Sequence, residues 1–168
     1  MDTTSGVCTT FLEQLRRADL RPARVRHAAM QVRRDDSRDG ALNARGYREV
    51  GGPYLWRDKA AWSDAQWRTH ASDPRLATFG AYDGSEFAGY FELCADAAGG
   101  VEILYFGLVA AYHGRGWGGD LLTRALETAW DLGATRVWVH TCSHDHPAAL
   151  RNYLARGMTI YRVEPGAL

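Results

Sequence analysis

The chain has few cysteines, no surplus of charge and no long hydrophobic run, and each deficit removes a class of protein. Cys8, Cys94 and Cys142 are odd in number and widely spaced, which argues against a disulfide framework and for a reducing compartment. Twenty basic residues balance twenty acidic ones, so no overall field draws the chain to nucleic acid or to an anionic membrane. No stretch approaches the roughly 20 apolar residues of a spanning helix, and Met1 to Thr10 lacks the basic-then-apolar order of a secretion signal. Internal repeats and low-complexity segments are also missing. These deficits point to a cytoplasmic protein with no membrane or nucleic-acid partner. At 168 residues the expectation is a single domain over 1–168, its first 22 residues an N-terminal extension ending at the Arg21-Pro22 break.

What the chain does have is concentrated between Val101 and Leu122. The first half of this stretch is an apolar and aromatic run of the kind found in strands buried on both faces. The second half is a cluster of glycines, Gly114, Gly116, Gly118 and Gly119, that runs straight into a helical pattern. Glycines at the start of a helix let its unpaired first-turn N–H groups approach an anion, and the positive end of the helix dipole assists. A phosphate or pyrophosphate is the natural guest.

Two loops fit those glycines. Gly114-x-Gly116-x-x-Gly119 formally matches the dinucleotide fingerprint, but the acidic residue expected about 20 positions on is replaced by Thr141-Cys142-Ser143, and too little chain remains for further βα units. His113-x-x-Gly116-x-Gly118, after a strand ending in Gly-Leu-Val and before Leu121-Leu122, resembles the acyl-CoA loop of the GCN5-related N-acetyltransferase family. In that family Gln or Arg usually stands where this chain has His113. The resemblance implies that the amides of Gly114, Arg115, Gly116, Trp117, Gly118 and Gly119, with His113, hold the CoA pyrophosphate. It also implies that the backbone at Leu108 and Val109 holds the pantetheine.

The remaining elements follow the same family order. Thr9 to Leu15 fits a strand about as well as a short helix, Val25 to Val32 reads as a first core strand, and Arg38 to Val50 as a helix stopped by Gly51-Gly52-Pro53. Ser63-x-x-Gln66 is a capping-box pattern with Trp62 and Trp67 at the staple positions of a second helix. Leu76 to Tyr82, Phe87 to Cys94 and the central strand form an antiparallel meander. Leu121, Leu122, Ala125, Leu126, Ala129 and Leu132 make the apolar stripe of a third helix stopped by Gly133. A strand from Arg136 to Thr141, a helix from Pro147 to Arg156 and a strand from Met158 to Val163 complete the chain. The fold class is α/β, with a mixed, mainly antiparallel central sheet flanked by helices, and the resemblance names it the acyl-CoA N-acyltransferase fold. That family ordinarily has two strands after its last helix, and Glu164 to Leu168 is too short for the second. Either the Thr9 to Leu15 segment or a partner subunit of a homodimer is expected to cover the exposed edge.

Several residues are candidates for chemistry. Ala149-x-x-x-Tyr153-x-x-x-Gly157 resembles the family segment whose tyrosine protonates the leaving thiolate, with His146 where Asn is usual. Glu102 lies eleven positions before His113, a spacing at which the resemblance implies a general base. With Leu104, Phe106 and Leu108 on the same side of its strand, apolar surroundings would raise its pKa toward neutrality. Glu92 on the neighbouring strand is the substitute. Tyr54 and Trp56, after a double glycine, are candidate acceptor contacts together with Glu92. His140-x-Cys142-x-His144-x-His146 alternates donors on one side of an extended segment, but its spacing is unlike common zinc patterns, and no metal is expected. The implied activity is transfer of an acetyl group from acetyl-CoA to a primary amine of a small molecule or amino acid. The alternatives are a protein N-acetyltransferase and a non-catalytic acyl-CoA-binding domain.

Overall fold

The computed structural model describes residues 6–166. Its elements in chain order are β1 (Cys8–Gln14), β2 (Met30–Arg34), α1 (Ala41–Gly51), α2 (Asp64–Ala71), β3 (Leu76–Asp83), β4 (Glu86–Ala95), β5 (Gly100–Leu108), α3 (Trp117–Asp131), β6 (Arg136–Cys142), α4 (Ala149–Ala155) and β7 (Thr159–Pro165). The seven strands form one mixed sheet in the order β2-β3-β4-β5-β6-β1-β7, in which β5 and β6 are the parallel neighbours.

Local chemistry accounts for most of the elements. Leu121, Leu122, Ala125, Leu126 and Ala129 are each 0% exposed on one face of α3, which buries that stripe against the sheet. Leu132, assigned to the stripe from sequence, instead caps the helix and is half exposed, and Gly133 follows at φ +90°. Ser63 and Gln66 form the capping box of α2, and the Trp62 and Trp67 rings meet edge-on at 4.9 Å. The first core strand begins at Met30 rather than Val25, because Arg26 and the His27 amide bind carboxylates of α3.

β1 is inserted between β6 and β7. It pairs antiparallel with β6 on one side and with β7 on the other, so the N-terminal segment lies inside the sheet and β7 becomes the edge. Leu12 is 0% exposed in the main core, and Gln14 accepts a bond from Trp130 Nε1 at 3.0 Å. Leu12→Ala is therefore expected to lower stability by ~2–5 kcal/mol, the cost of a cavity in a packed core, read as a lower denaturation midpoint. A change within about 0.5 kcal/mol, as at a surface position, would mean that β1 does not fill this slot.

One irregularity shapes everything nearby. Glu92 pairs with Tyr105 but Leu93 pairs with Ile103, so Leu104 is an extra residue, a β-bulge that bends β5 and reverses its alternation. Phe106 and Leu108 thus join Val101 and Ile103 in the main core, whereas Tyr105 packs beside α1 and a Cβ on Gly107 would strike Val50. The expectation that Glu102 shares a face with Phe106 and Leu108 is corrected: past the bulge, its face continues through Tyr105 and Gly107.

Candidate active site

β5 and β6 pair only from Gly100–Glu102 to Arg136–Trp138. Beyond that the two strands part, and a cleft of about 800 Å³ opens between Ile103–Leu108 and Val139, His140 and Cys142. Neither facing edge has a ladder partner there, so a slender amide-bearing ligand can pair with exposed backbone as an added strand would.

The glycine loop closes one end. Gly114 and Gly116 sit at φ +71° and +78°, a left-handed conformation that side chains resist. Gly116 is the N-cap of α3, with no side chain capping the first turn, so those amides are left for an anion. The loop is held from behind. Asp120, 0% exposed, accepts from the His27 amide at 2.6 Å and from Arg124 Nε at 2.9 Å, and forms an ion pair with Arg26 Nε at 3.0 Å. Burial alone would raise this carboxyl, but the bonds from Arg124 and the His27 amide outweigh it and bring the pKa below the ordinary value. His27 Nε2 donates to the Arg115 carbonyl at 3.1 Å, and Asn152 Nδ2 donates to the Gly118 carbonyl at 3.0 Å. Sequence reading passed over His27 and Asp120, since a lone histidine and an acidic residue after glycine carry no pattern of their own.

Of the residues expected at the cofactor, Leu108, His113, Gly114, Gly118 and Gly119 line the cleft. Val109 is instead turned to β4, its amide donating to the Ala88 carbonyl at 2.9 Å. Trp117 is buried against Tyr112 and His27, and the Arg115 guanidinium lies over the Tyr112 and Trp117 rings. His113 turns inward, Nε2 donating to the Leu108 carbonyl at 3.0 Å.

Tyr153, on α4, lines the cleft and is 6% exposed. Burial pushes its phenol well above the ordinary value, so it remains a proton donor across the neutral range. The cleft lining also includes His140, whose Nδ1 lies 3.4 Å from Glu102 Oε1. The hydrogen bond to Glu102 is the main reason that His140 titrates above an ordinary histidine, against the opposing effect of its partial burial. Glu102 therefore sits behind an imidazole rather than among apolar side chains. His140 was visible in the sequence only as part of an alternating histidine tract.

Part of the cleft lining is aromatic and charged. Tyr54 and Trp56 line the cleft with Asp58, Lys59, Tyr105 and Asp145, and the Tyr54 ring lies 6.4 Å from that of His113. Trp56 Nε1 donates to Asp145 Oδ1 at 3.3 Å and the Tyr54 ring meets His146 edge-on at 5.7 Å, so the loop after α1 straps across to the turn before α4. Burial, then the neighbouring His113, lowers the His146 pKa. Glu92 lies elsewhere. It is 0% exposed beneath α1 and α2, accepting from Asn43 Nδ2 and His70 Nε2, each at 2.7 Å. The histidine tract does not converge: His140 turns to Glu102, Cys142 Sγ accepts from the His144 amide, and His146 Nδ1 accepts from the Ala148 amide.

A mixed sheet splayed at its parallel pair, with an uncapped glycine loop opening a helix at the splay, defines the acyl-CoA N-acyltransferase fold. The chain belongs to the acetyltransferase (GNAT) family, whose model matches residues 42–158. It is 33% identical over 98 residues to uncharacterized N-acetyltransferases of Mycobacterium bovis and Mycobacterium tuberculosis, a match covering 58% of this chain and 62% of theirs. Its fold resembles a GCN5-related N-acetyltransferase from Sphaerobacter thermophilus, with a TM-score of 0.72 and 16% identity over 94% of this chain and 50% of that one. It also resembles an aminoglycoside acetyltransferase from an uncultured soil metagenomic sample, with a TM-score of 0.63 and 14% identity over 76% and 86% of the two chains. The chain thus spans half the length of the Sphaerobacter protein. No helix among the described residues is long and apolar enough to cross a membrane.

Proposed function

We propose that this chain is an acetyl-CoA-dependent N-acetyltransferase that acts by direct transfer on a primary amine of a small molecule or amino acid. The observation that carries this reading is one cleft whose lining includes the glycine loop before a helix with an uncapped first turn, a buried tyrosine and a carboxylate-backed imidazole. The loop amides hold the diphosphate and the open edges of β5 and β6 hold the pantetheine, which brings the thioester next to Tyr153.

An amine with pKa near ~10 is mostly protonated at neutral pH and must lose a proton before it attacks. His140 receives that proton, with Glu102 stabilising the imidazolium through Nδ1. The amine nitrogen bonds to the thioester carbonyl carbon, the carbon–sulfur bond breaks, Tyr153 gives its phenolic proton to the departing thiolate, and the second proton lost from nitrogen returns to the phenolate through solvent. The products are the N-acetyl amide and CoA.

The cofactor half of this reading has a direct test. Acetyl-CoA at about 100 times its Kd should stabilise the folded protein by ~2.7 kcal/mol through mass action, seen as a higher Tm, and NAD at the same concentration should leave Tm unchanged. Stabilisation by NAD and none by acetyl-CoA would overturn it and restore the dinucleotide reading of the glycines.

A further inference from the structure

The chain contains one lysine, Lys59, and that lysine is in the cleft. It belongs to the loop between α1 and α2, and its side chain is 18% exposed. Its ammonium lies 4.9 Å from the Tyr105 ring centroid and 5.2 Å from that of Trp62, donates to the Tyr105 hydroxyl, and is 3.4 Å from Asp58 Oδ2. The backbone is fixed as well. The Lys59 amide donates to Tyr47 Oη at 3.0 Å, and that hydroxyl donates to Asp58 Oδ1 at 2.5 Å.

These contacts fix where the ammonium sits. Aromatic faces attract a cation, most strongly where water is partly excluded. Asp58 offsets the charge only in part, because its side chain is 70% exposed and an exposed pair is screened.

The carboxylates at this end are already engaged. Asp58 accepts from Tyr47 and Lys59, Asp145 accepts from the Thr141 hydroxyl, the Cys142 amide and Trp56, and Glu102 faces His140. An ammonium has three donors, and Asp58 with the Tyr105 hydroxyl accounts for two. The acceptor end therefore offers spare positive hydrogen-bonding capacity and little spare negative capacity.

We propose that the acceptor carries a carboxylate near its reactive amine, as an amino acid does, and that Lys59 binds that carboxylate. This inference rests on the transferase reading and narrows its substrate class. A polycationic amine would bring further positive charge against Lys59.

A single lysine permits a direct test. Protein labelled with nitrogen-15 at the lysine amine gives one side-chain resonance. With the cleft saturated with CoA, amino acids and their carboxamides are titrated as matched pairs. The acid should shift the Lys59 resonance saturably, with a Kd about 10- to 100-fold below that of the amide, the range for a hydrogen bond to a charged group. In turnover, the acid-to-amide ratio of kcat/KM should fall by a similar factor in Lys59→Met and be partly restored in Lys59→Arg, with the KM for acetyl-CoA unmoved. Equal titration by acid and amide, preference for polyamines, or gain of an acetyl group on Lys59 itself would each overturn the proposal. If no amine is ever acetylated, the transferase reading fails, and the resonance still reports whether the carboxylate site exists.

Discussion

A Gly118→Asp protein should fold as stably as the parent and bind acetyl-CoA at least about 100-fold more weakly. Gly118 is the second residue of α3, and a Cβ there would meet Asn152 Nδ2 at 3.7 Å and Leu108 Cδ1 at 3.8 Å, both ordinary contacts. An acidic side chain in the first turn of a helix is favourable by ~0.3–1 kcal/mol, so stability should hold or rise slightly. The same carboxylate would sit on the cleft wall where the diphosphate is placed, and opposing two like charges costs several kcal/mol. Position 118 separates these effects better than 116, where φ +78° and the His27 ring 3.4 Å away would add strain. Calorimetric titration with acetyl-CoA, set beside thermal melts of both proteins, reads the two quantities independently. A variant with unchanged cofactor affinity would place the diphosphate away from this loop.

The second large effect concerns proton transfer. Glu102→Gln should retain cofactor binding and lower turnover near neutral pH by ~10²–10⁴-fold, as for a lost general acid or base. In the parent, His140 accepts a proton only when neutral. Because Glu102 raises its pKa, the rate should climb with pH through a value above about 6.5, and in the variant that limb should move to lower pH. Activity should partly return at high pH, where the amine deprotonates unaided. The linkage runs the opposite way for stability. The native pKa of His140 is raised, so the pair's contribution is fully present below about 6.5 and is lost as pH rises through the native value. Its size is limited because the His140 side chain is 46% exposed. Tyr153→Phe should also spare binding, but its defect should shrink with an acyl donor whose leaving group needs less protonation. Unchanged turnover and pH profile in Glu102→Gln would hand the proton to solvent.

What could be read in advance was what local chemistry determines. The stripe of α3 as far as Ala129, the Ser63–Gln66 capping box and the glycines before Trp117 each act within a few residues, and each stands where the pattern put it. What could not be read depended on remote partners. The bulge at Leu104 arises in the pairing of β4 with β5, and it alone decides which side chains accompany Glu102. Glu92 looked as available as Glu102 until Asn43 and His70, from two helices, closed over it. The ambiguity of Thr9 to Leu15 was resolved by β6 and β7, between which the segment is inserted. Val25 to Val32 reads as strand by composition, but Arg26 and the His27 backbone bond instead to α3, bracing the glycine loop.

The central claim, that one cleft both holds acyl-CoA and transfers its acyl group to nitrogen, is tested most directly by following free thiol as the protein meets acetyl-CoA and a broad panel of primary amines. The account predicts thiol release that depends on the amine, with one N-acetylated product formed per thiol. Tight binding of acetyl-CoA with no thiol released by any amine would contradict it and leave a domain that binds acyl-CoA without turning it over.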